Sequence, residues 1–344
     1  MPSDRTFVTE LATALGMVGS DEPGRLLLAA RPPDCLELEP DRWQELRCLY
    51  REGGYEADFR RGFSNGLAFL RSDEALAGRR PRLIEWTGGR RPPGDEVVPA
   101  DLRVDHVYLV SCKYFSKILH NPSPARLVEG LLSTAPLGDA RDWYVRTAPD
   151  EYQQLYELCA AAVPGGGLPL LAMTLTSDER RELAKALRKG WPEGAEAAYG
   201  GLCCAVSSTT AHEWSERLGK SRPDQLLWRL LRISSVPYFV LGSGPAGPLR
   251  LRIDTPWDWR RRYRLVEFVI EPQPARQPRV SWTARYEERD GPAGTVRGHV
   301  EIRWSHGRFA QPPEAKVYLD TPHESVPGYH RLGSDSGQSA LWAT

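Results

Sequence analysis

The sequence predicts a mixed α/β fold (α+β), because helical and strand-like patterns occupy different stretches of the chain. Apolar residues recur at helical spacing near the N-terminus and across 142–232, whereas short strand-like runs dominate from Val236 onward. The 344 residues suit one large domain or two of ordinary size. We expect N-terminal helices at 1–50, a mixed core at 51–135, a helical insertion at 136–235, a β-rich region at 236–330 and a tail at 331–344.

The chain begins with predicted helices. Ser3 can cap a first helix and Asp41 can cap a second, because short polar side chains accept hydrogen bonds from the first free amides. The segment 56–72 carries apolar residues at helical spacing and predicts a third helix. Gly62 and Gly66 lower the helix propensity of this segment, but they allow another element to pack closely against it.

After the third helix the pattern changes to strands. The run "RLIEW" (82–86) predicts a short strand, and a Gly/Pro-rich loop follows at 87–99. The runs "ADLRV" and "HVYLVSCKY" predict either a tight hairpin or one long strand. Ser123 and Pro124 then predict the start of a helix, so 56–132 has the order helix, strand, strand, strand, helix.

Charge and composition narrow the class of protein. The formal net charge is zero, so a site for a polyanion must come from local clustering of basic residues. No run approaches 18 apolar residues and the N-terminus lacks the pattern of a signal peptide, so we expect no membrane association. The six cysteines show no CxxC spacing, which indicates reduced thiols and a cytoplasmic protein rather than a zinc site or a disulfide framework.

Lysine is unusually rare in this chain. Only six of the 45 basic residues are lysine, and the others are arginine. A retained lysine is therefore a candidate for a position where lysine and arginine are not interchangeable. Lys113 and Lys117 lie four residues apart at the end of the most hydrophobic predicted strand.

A hairpin would gather polar groups at the end of that strand. Its turn would lie at Asp105 and His106. Asp101 would then return alongside Ser111 and Lys113, which are two residues apart and share one face. A carboxylate and nearby oxygens can hold Mg²⁺, and a partly buried lysine can orient or deprotonate a water molecule, which arginine cannot do. This set predicts metal-assisted hydrolysis of a phosphodiester.

The order of elements, with "PAD" (99–101) followed by "SCK" (111–113), resembles the PD-(D/E)xK nuclease superfamily. Members place an acid on one strand and an acid-x-Lys at the end of the next. The resemblance implies a restriction-endonuclease-like core, Mg²⁺ or Mn²⁺ as cofactor and DNA as substrate. It assigns catalytic positions to Asp101, Ser111 and Lys113, and Asp101 would also be a metal ligand.

One position departs from that pattern, because Ser111 stands where the first acid of the acid-x-Lys is expected. Another carboxylate must then help Asp101 to hold the metal. The candidate ligands lie on the neighbouring strand, loop and turn or at the start of the preceding helix: Glu85, Asp95, Glu96, Asp105, Glu52, Glu56 and Asp58.

Polar and basic side chains elsewhere predict contacts with nucleic acid. Some follow the motif, some lie in the arginine-rich loop before it, and some lie in a C-terminal strand: Lys117, Asn121, Ser123, Arg90, Arg91, Arg303 and His306. The segment "TPWDWRRRYR" (255–264) mixes aromatic and basic residues, which suits either base stacking or an ordinary surface over buried tryptophans. A literal Glu-x-Lys at Glu314 and Lys316 opens a strand after two prolines, a context that favours a phosphate contact by Lys316 or a structural role over a second nuclease site.

These observations leave three hypotheses. The first is a Mg²⁺-dependent DNA endonuclease of restriction or phage-defence type, acting with a second copy or with other defence-complex subunits. The second is a non-catalytic nucleic-acid-binding or scaffold subunit with a degenerate nuclease fold. The third is an unrelated interaction protein, in which Lys113 only ends a strand and Asp101 only forms a turn. Fewer than two acidic side chains within metal-bridging reach of the Lys113 ammonium would argue against the first hypothesis. Asp101 and Lys113 on opposite sides of the sheet would favour the third.

Overall fold

The structure is a computed structural model that describes residues 3–19, 23–88, 100–115, 117–128, 142–163, 167–218 and 223–333. The predicted sites at Arg90, Arg91, Asp95 and Glu96 lie outside these residues. The fold is mixed, as the sequence predicts, with helices and two β-sheets. Among the described residues, no helix combines the length and the apolar character needed to cross a membrane.

The helices are α1 (Asp4–Gly16), α2 (Pro23–Leu27), α3 (Pro40–Glu52), α4 (Glu56–Arg71), α5 (Pro124–Val128), α6 (Trp143–Thr147), α7 (Pro149–Ala161), α8 (Ser177–Ala186), α9 (Ala195–Leu218), α10 (Pro223–Leu230) and α11 (Pro256–Arg262). The strands are β1 (Leu36–Glu37), β2 (Ile84–Trp86), β3 (Leu102–Val104), β4 (Tyr108–Tyr114), β5 (Ile118–His120), β6 (Tyr238–Gly244), β7 (Gly247–Ile253), β8 (Tyr263–Pro272), β9 (Arg279–Glu288), β10 (Ala293–Arg303), β11 (Glu314–Leu319) and β12 (Tyr329–Arg331).

The chain divides into two compact units, each assembled from separate segments. The first unit comprises 1–117, 233–261 and 323–344, and the second comprises 118–232 and 262–322. These borders differ from the five successive regions expected from the sequence. The N-terminal helices share a unit with the predicted core, and the β-rich C-terminal region is divided between the two units.

The first unit contains a seven-stranded mixed sheet in the order β1-β2-β3-β4-β6-β7-β12. Strands β1 and β2 are parallel, β4 and β6 are parallel, and the other neighbours are antiparallel. The strand β4, which carries the candidate motif, is therefore a central strand. The beginning of the predicted β-rich region completes this sheet through β6 and β7.

Helices α1 and α4 pack against each other and against one face of this sheet. Glycines make the close approach possible. A Cβ atom on Gly66 would lie 1.9 Å from the Thr13 carbonyl oxygen, and one on Gly16 would lie 2.2 Å from the Phe63 carbonyl oxygen. The predicted role of Gly62 and Gly66 in close packing is confirmed, since a Cβ on Gly62 would lie 2.9 Å from a backbone oxygen of α1.

The second unit contains a five-stranded antiparallel sheet in the order β5-β11-β10-β9-β8. Helix α9 packs against β8 and β9, and α7 packs against α9. Aromatic side chains fill the core, for example Tyr152, which stacks on Phe309 with the ring centroids 5.4 Å apart. The buried hydroxyl of Tyr144 donates to the Ile302 carbonyl at 2.7 Å, which satisfies one polar group inside this core.

The predicted cap of the first helix is confirmed, and the predicted cap of the second is wrong. Ser3 caps α1, and its hydroxyl accepts from the Thr6 amide at 3.3 Å. Asp41 does not cap α3, because that helix begins at Pro40, one residue earlier, with Glu39 at the N-cap position. Strand β12 extends to Arg331, the first residue of the expected tail, and residues 334–344 of that tail lie outside the described residues. Helix α11 was not predicted from "TPWDWRRRYR".

Candidate functional site

The hairpin predicted between the two hydrophobic runs is present. Leu102 pairs with Val110 and Val104 pairs with Tyr108, so β3 and β4 form two antiparallel strands rather than one long strand. The turn carries positive φ angles at Asp105 (+53°) and His106 (+59°), the conformation that suits a tight hairpin. The open end of the hairpin therefore lies at Asp101 and the C-terminal half of β4.

Asp101 contacts the strand that carries the motif. Its Oδ2 atom accepts from the Cys112 amide at 2.6 Å and from the Ser111 hydroxyl at 3.3 Å. Ser111 is buried, and Lys113 lies two residues further along the same face of β4. Asp101 and Ser111 are thus in contact, and Lys113 lies on the face of β4 that carries Ser111.

Strand β6 holds the backbone of Lys113 tightly. Lys113 pairs with Gly242 in the parallel register of β4 and β6. A Cβ atom on Gly242 would lie 1.7 Å from the Lys113 carbonyl oxygen, so only glycine fits at that position. The side-chain amide of the buried Asn65 on α4 donates to the Gly242 carbonyl at 2.7 Å and to the Tyr114 hydroxyl at 3.2 Å. The end of β4 is therefore fixed from two sides.

Glu10 on α1 is a second buried acid near the hairpin, and it was not predicted from the sequence. It is only 6% exposed, and its Oε2 atom accepts from the Trp86 indole nitrogen at 2.7 Å. Burial raises the pKa of Glu10 to about 8, and the negative charge of Asp101 adds to the rise. The hydrogen bond from Trp86 and the positive charge of Lys113 oppose it. Glu10 therefore lies within the electrostatic reach of both Asp101 and Lys113.

A signal for Glu10 is present in the sequence. Helix α1 is an apolar helix, and Glu10 stands directly before Leu11 and three residues after Phe7, on the side that packs inward. A carboxylate on the buried side of a helix is costly unless it has a partner or a function. The sequence does not predict that Glu10 lies near the hairpin, because α1 precedes β3 by more than 80 residues.

The other predicted acids lie elsewhere, which corrects the expected ligand set. Asp105 anchors the turn at the opposite end of the hairpin from Asp101, and it accepts from the Arg79 guanidinium at 2.7 Å and the Arg82 amide at 2.6 Å. Burial raises the pKa of Asp105, but these hydrogen bonds and one from Leu83 outweigh it and hold the pKa below its usual range. The Oε2 atom of Glu85 lies 3.1 Å from the Nδ1 atom of His106, on the turn side as well.

The acids at the start of α4 are engaged with arginines. Asp58 is buried, and its Oδ2 atom accepts from Arg5 at 3.0 Å. Glu56 pairs with Arg60 at 2.6 Å on the helix surface. Glu52 is the last residue of α3 and is exposed.

The predicted nucleic-acid contacts are distributed over both units. Lys117 is exposed in the first unit, whereas Asn121 is exposed in the second. Ser123 caps α5, since its hydroxyl accepts from the Arg126 amide at 3.3 Å. The structure therefore does not establish Lys117, Asn121 and Ser123 as one phosphate site.

The C-terminal candidates lie on the five-stranded sheet. The Nε atom of Arg303 lies 3.3 Å from Glu301, and another guanidinium nitrogen donates to the Tyr318 hydroxyl at 3.2 Å, while His306 is exposed. Lys316 is buried and bonded to Glu314, which fits the structural role expected for that Glu-x-Lys. In α11, Trp257 is 69% exposed and Trp259 is buried.

The donor set at Asp101 fits a small hard cation. Within the described part of the chain, no group of three or more His, Cys, Asp and Glu side chains is arranged to hold a metal ion. Magnesium, however, usually keeps several waters and binds through only one or two carboxylates. Burial raises the pKa of Glu10 and the negative charge of Asp101 adds to the rise, so a cation bound near the two carboxylates would favour their charged forms.

Comparisons of the chain with protein-family models, with curated proteins and with solved structures find no match. The resemblance to the PD-(D/E)xK superfamily therefore rests on the residues and their arrangement.

Proposed function

We propose that the chain is a Mg²⁺-dependent DNA endonuclease of restriction or phage-defence type, and that it hydrolyses phosphodiester bonds at the open end of the β3–β4 hairpin. One observation carries the proposal. The Asp101 carboxylate contacts Ser111 on the face of β4 that also bears Lys113. A hairpin end with a purely structural role would not require an acid, a hydroxyl and one of the few lysines of the chain together.

Each residue has a distinct role in this proposal. Asp101 and Glu10 would hold the metal ion, which supplies polarisation of the phosphate and an acidified water when it is bound. The Ser111 hydroxyl and the Cys112 amide both donate to Oδ2 of Asp101 and so fix its orientation. The Lys113 ammonium would orient the attacking water and stabilise the negative charge that develops on the phosphate.

A second candidate is a non-catalytic nucleic-acid-binding or scaffold subunit of a defence complex with a degenerate nuclease fold. The observation that favours it is the hydrogen bond from the Cys112 amide to Asp101, because it stabilises the hairpin end without any reaction. Ser111 in place of an acid fits this candidate as well. The two candidates share DNA as a partner and differ in whether the DNA is cut.

Cleavage of plasmid DNA with Mg²⁺ or Mn²⁺ tests the proposal. Plasmid with and without base modification should both be used, because the target of a restriction-type enzyme depends on modification. Lys113→Ala should lower the cleavage rate by about 100-fold or more, the range for loss of a proton-handling group. Lys189→Ala removes an exposed lysine of the second unit and is the matched control, with an unchanged rate.

Equal nicking by the wild type and Lys113→Ala would contradict the endonuclease assignment. DNA binding without cleavage in any metal would favour the non-catalytic subunit instead. Cleavage that is lost in Lys113→Ala and kept in Lys189→Ala would support the proposal.

A further inference from the structure

Phe115 is an exposed aromatic residue directly after β4, two residues beyond Lys113. It is 45% exposed, and its backbone has a φ of +56°. A bulky side chain in the left-handed region is an outlier, because its Cβ atom crowds the backbone. The Phe115 amide donates to the Ser243 carbonyl at 2.7 Å, so the neighbouring strand β6 holds the residue in this conformation.

A positively charged group supports the ring. The guanidinium carbon of Arg61 lies 5.0 Å from the centroid of the Phe115 ring. Arg61 is itself tethered, since its Nη1 atom lies 3.4 Å from the buried carboxylate of Asp58, which also pairs with Arg5. The Phe115 ring therefore packs against a guanidinium that is itself held by an ion pair.

Packing does not explain this arrangement, because nearly half of the residue faces solvent. Backbone strain that the surroundings maintain is often found at sites that bind a ligand. Exposed aromatic rings beside cations are the elements with which proteins stack nucleobases and hold the adjoining phosphates. Arg61 supplies positive charge against the ring, and the exposed Lys117 supplies another two residues further along the chain in the same unit.

We propose that Phe115 stacks on an unpaired nucleobase of the nucleic acid whose phosphate enters the Lys113 site, an inference that rests on the proposed function. The ligand is a single-stranded or locally opened nucleotide, in DNA or RNA. A duplex with all bases paired would offer Phe115 no base face except at its ends.

Binding of fluorescent oligonucleotides in EDTA tests the inference without any cleavage. Phe115→Gly removes the ring and suits the positive φ angle, so its Tm should stay at or above that of the wild type. Its affinity for single-stranded oligonucleotides should fall about tenfold or more. Phe115→Trp keeps an aromatic face and should bind like the wild type, with its tryptophan fluorescence quenched by the base. Leu28→Ala removes another exposed apolar side chain of the same unit and should have no effect.

Single-stranded DNA, single-stranded RNA and blunt duplex DNA form the three arms, and a larger loss for one strand type identifies the source of the base. Equal affinity of Phe115→Gly and the wild type, or no binding of any oligonucleotide by the wild type, would overturn the stacking inference. Phe115-dependent binding in a protein that cuts no DNA would sink the endonuclease proposal and leave the stacking inference standing.

Discussion

Replacing Glu10 by Gln should make the protein more stable at alkaline pH. Gln keeps an oxygen that can accept from the Trp86 indole and removes the charge that lies beside Asp101. The folded-state pKa of Glu10 is raised from 4.5 to about 8. A carboxyl with a raised pKa contributes stability that is fully present below its unfolded pKa and is lost as pH rises through the folded value.

The size of the effect follows from the linkage between proton binding and folding. Between pH 5 and 8 the wild type should lose about 1.4 kcal/mol of unfolding free energy per pH unit relative to Glu10→Gln. The total loss of unfolding free energy should not exceed about 5 kcal/mol, because the pKa of Glu10 moves from 4.5 to about 8 on folding. Near pH 4 the two proteins should differ little, because the carboxyl is then protonated in both the folded and the unfolded state.

Urea denaturation in EDTA at pH 4, 5, 6, 7, 8 and 9 measures this difference. Glu37→Gln, at an exposed carboxylate of β1 in the same unit, controls for the loss of any carboxylate. Added Mg²⁺ should restore part of the wild-type stability at pH 8 and leave Glu10→Gln unaffected, since a ligand stabilises only the state that binds it. A difference between Glu10→Gln and the wild type that is constant from pH 4 to 9 would refute the buried-carboxylate account.

Three further predictions concern the frame of the site. Gly242→Ala should cost about 2 to 3 kcal/mol of unfolding free energy and abolish cleavage, because the new Cβ would overlap the Lys113 carbonyl. The control Gly244→Ala should leave stability and cleavage unchanged, because its Cβ would enter open space. Gly66→Ala should lower the Tm although alanine favours helices, because α1 and α4 must separate, and Gly54→Ala is its unhindered control. Asp105→Asn should cost about 1 kcal/mol of unfolding free energy at pH 7, as measured by urea denaturation. This cost should shrink as pH falls through the low folded-state pKa of Asp105, because the stability that a carboxylate with a lowered pKa contributes is lost on protonation.

Each of these predictions has a contradicting outcome. Gly242→Ala with normal cleavage would mean that β6 does not position Lys113. An equal change in Tm for Gly66→Ala and Gly54→Ala would contradict the close contact between α1 and α4. A cost of Asp105→Asn that grows on acidification would contradict the sign of its pKa shift.

The hairpin was predictable because its causes are local. Two apolar runs flank Asp105 and His106, and the alternation of β4 places Ser111 and Lys113 on one face. The pairing of β4 with β6 was not predictable in the same way. It joins residues more than 120 positions apart, and nothing in either strand specifies its neighbour.

The second acid shows the same limit. The sequence predicts it on the neighbouring strand, loop or turn, or at the start of α4, where Asp58 instead pairs with Arg5 and Arg61. Glu10 reaches the site only because the glycines of α1 and α4 let the two helices pack closely on the sheet. Helix α11 had a local sequence signal, since Thr255 and Asp258 form reciprocal capping hydrogen bonds. The aromatic and basic residues of the same segment were interpreted as a binding or surface pattern, so the helix was not predicted.

The central claim is that Asp101 and Glu10 form one divalent-cation site beside Lys113. Electron paramagnetic resonance of Mn²⁺ bound to the wild type, Asp101→Asn and Lys113→Ala tests it most directly. Asn can still accept from the Cys112 amide, so Asp101→Asn should fold and lose the bound ion. Lys113→Ala should keep the ion and lose only cleavage. Mn²⁺ binding that is unchanged in Asp101→Asn would contradict the claim.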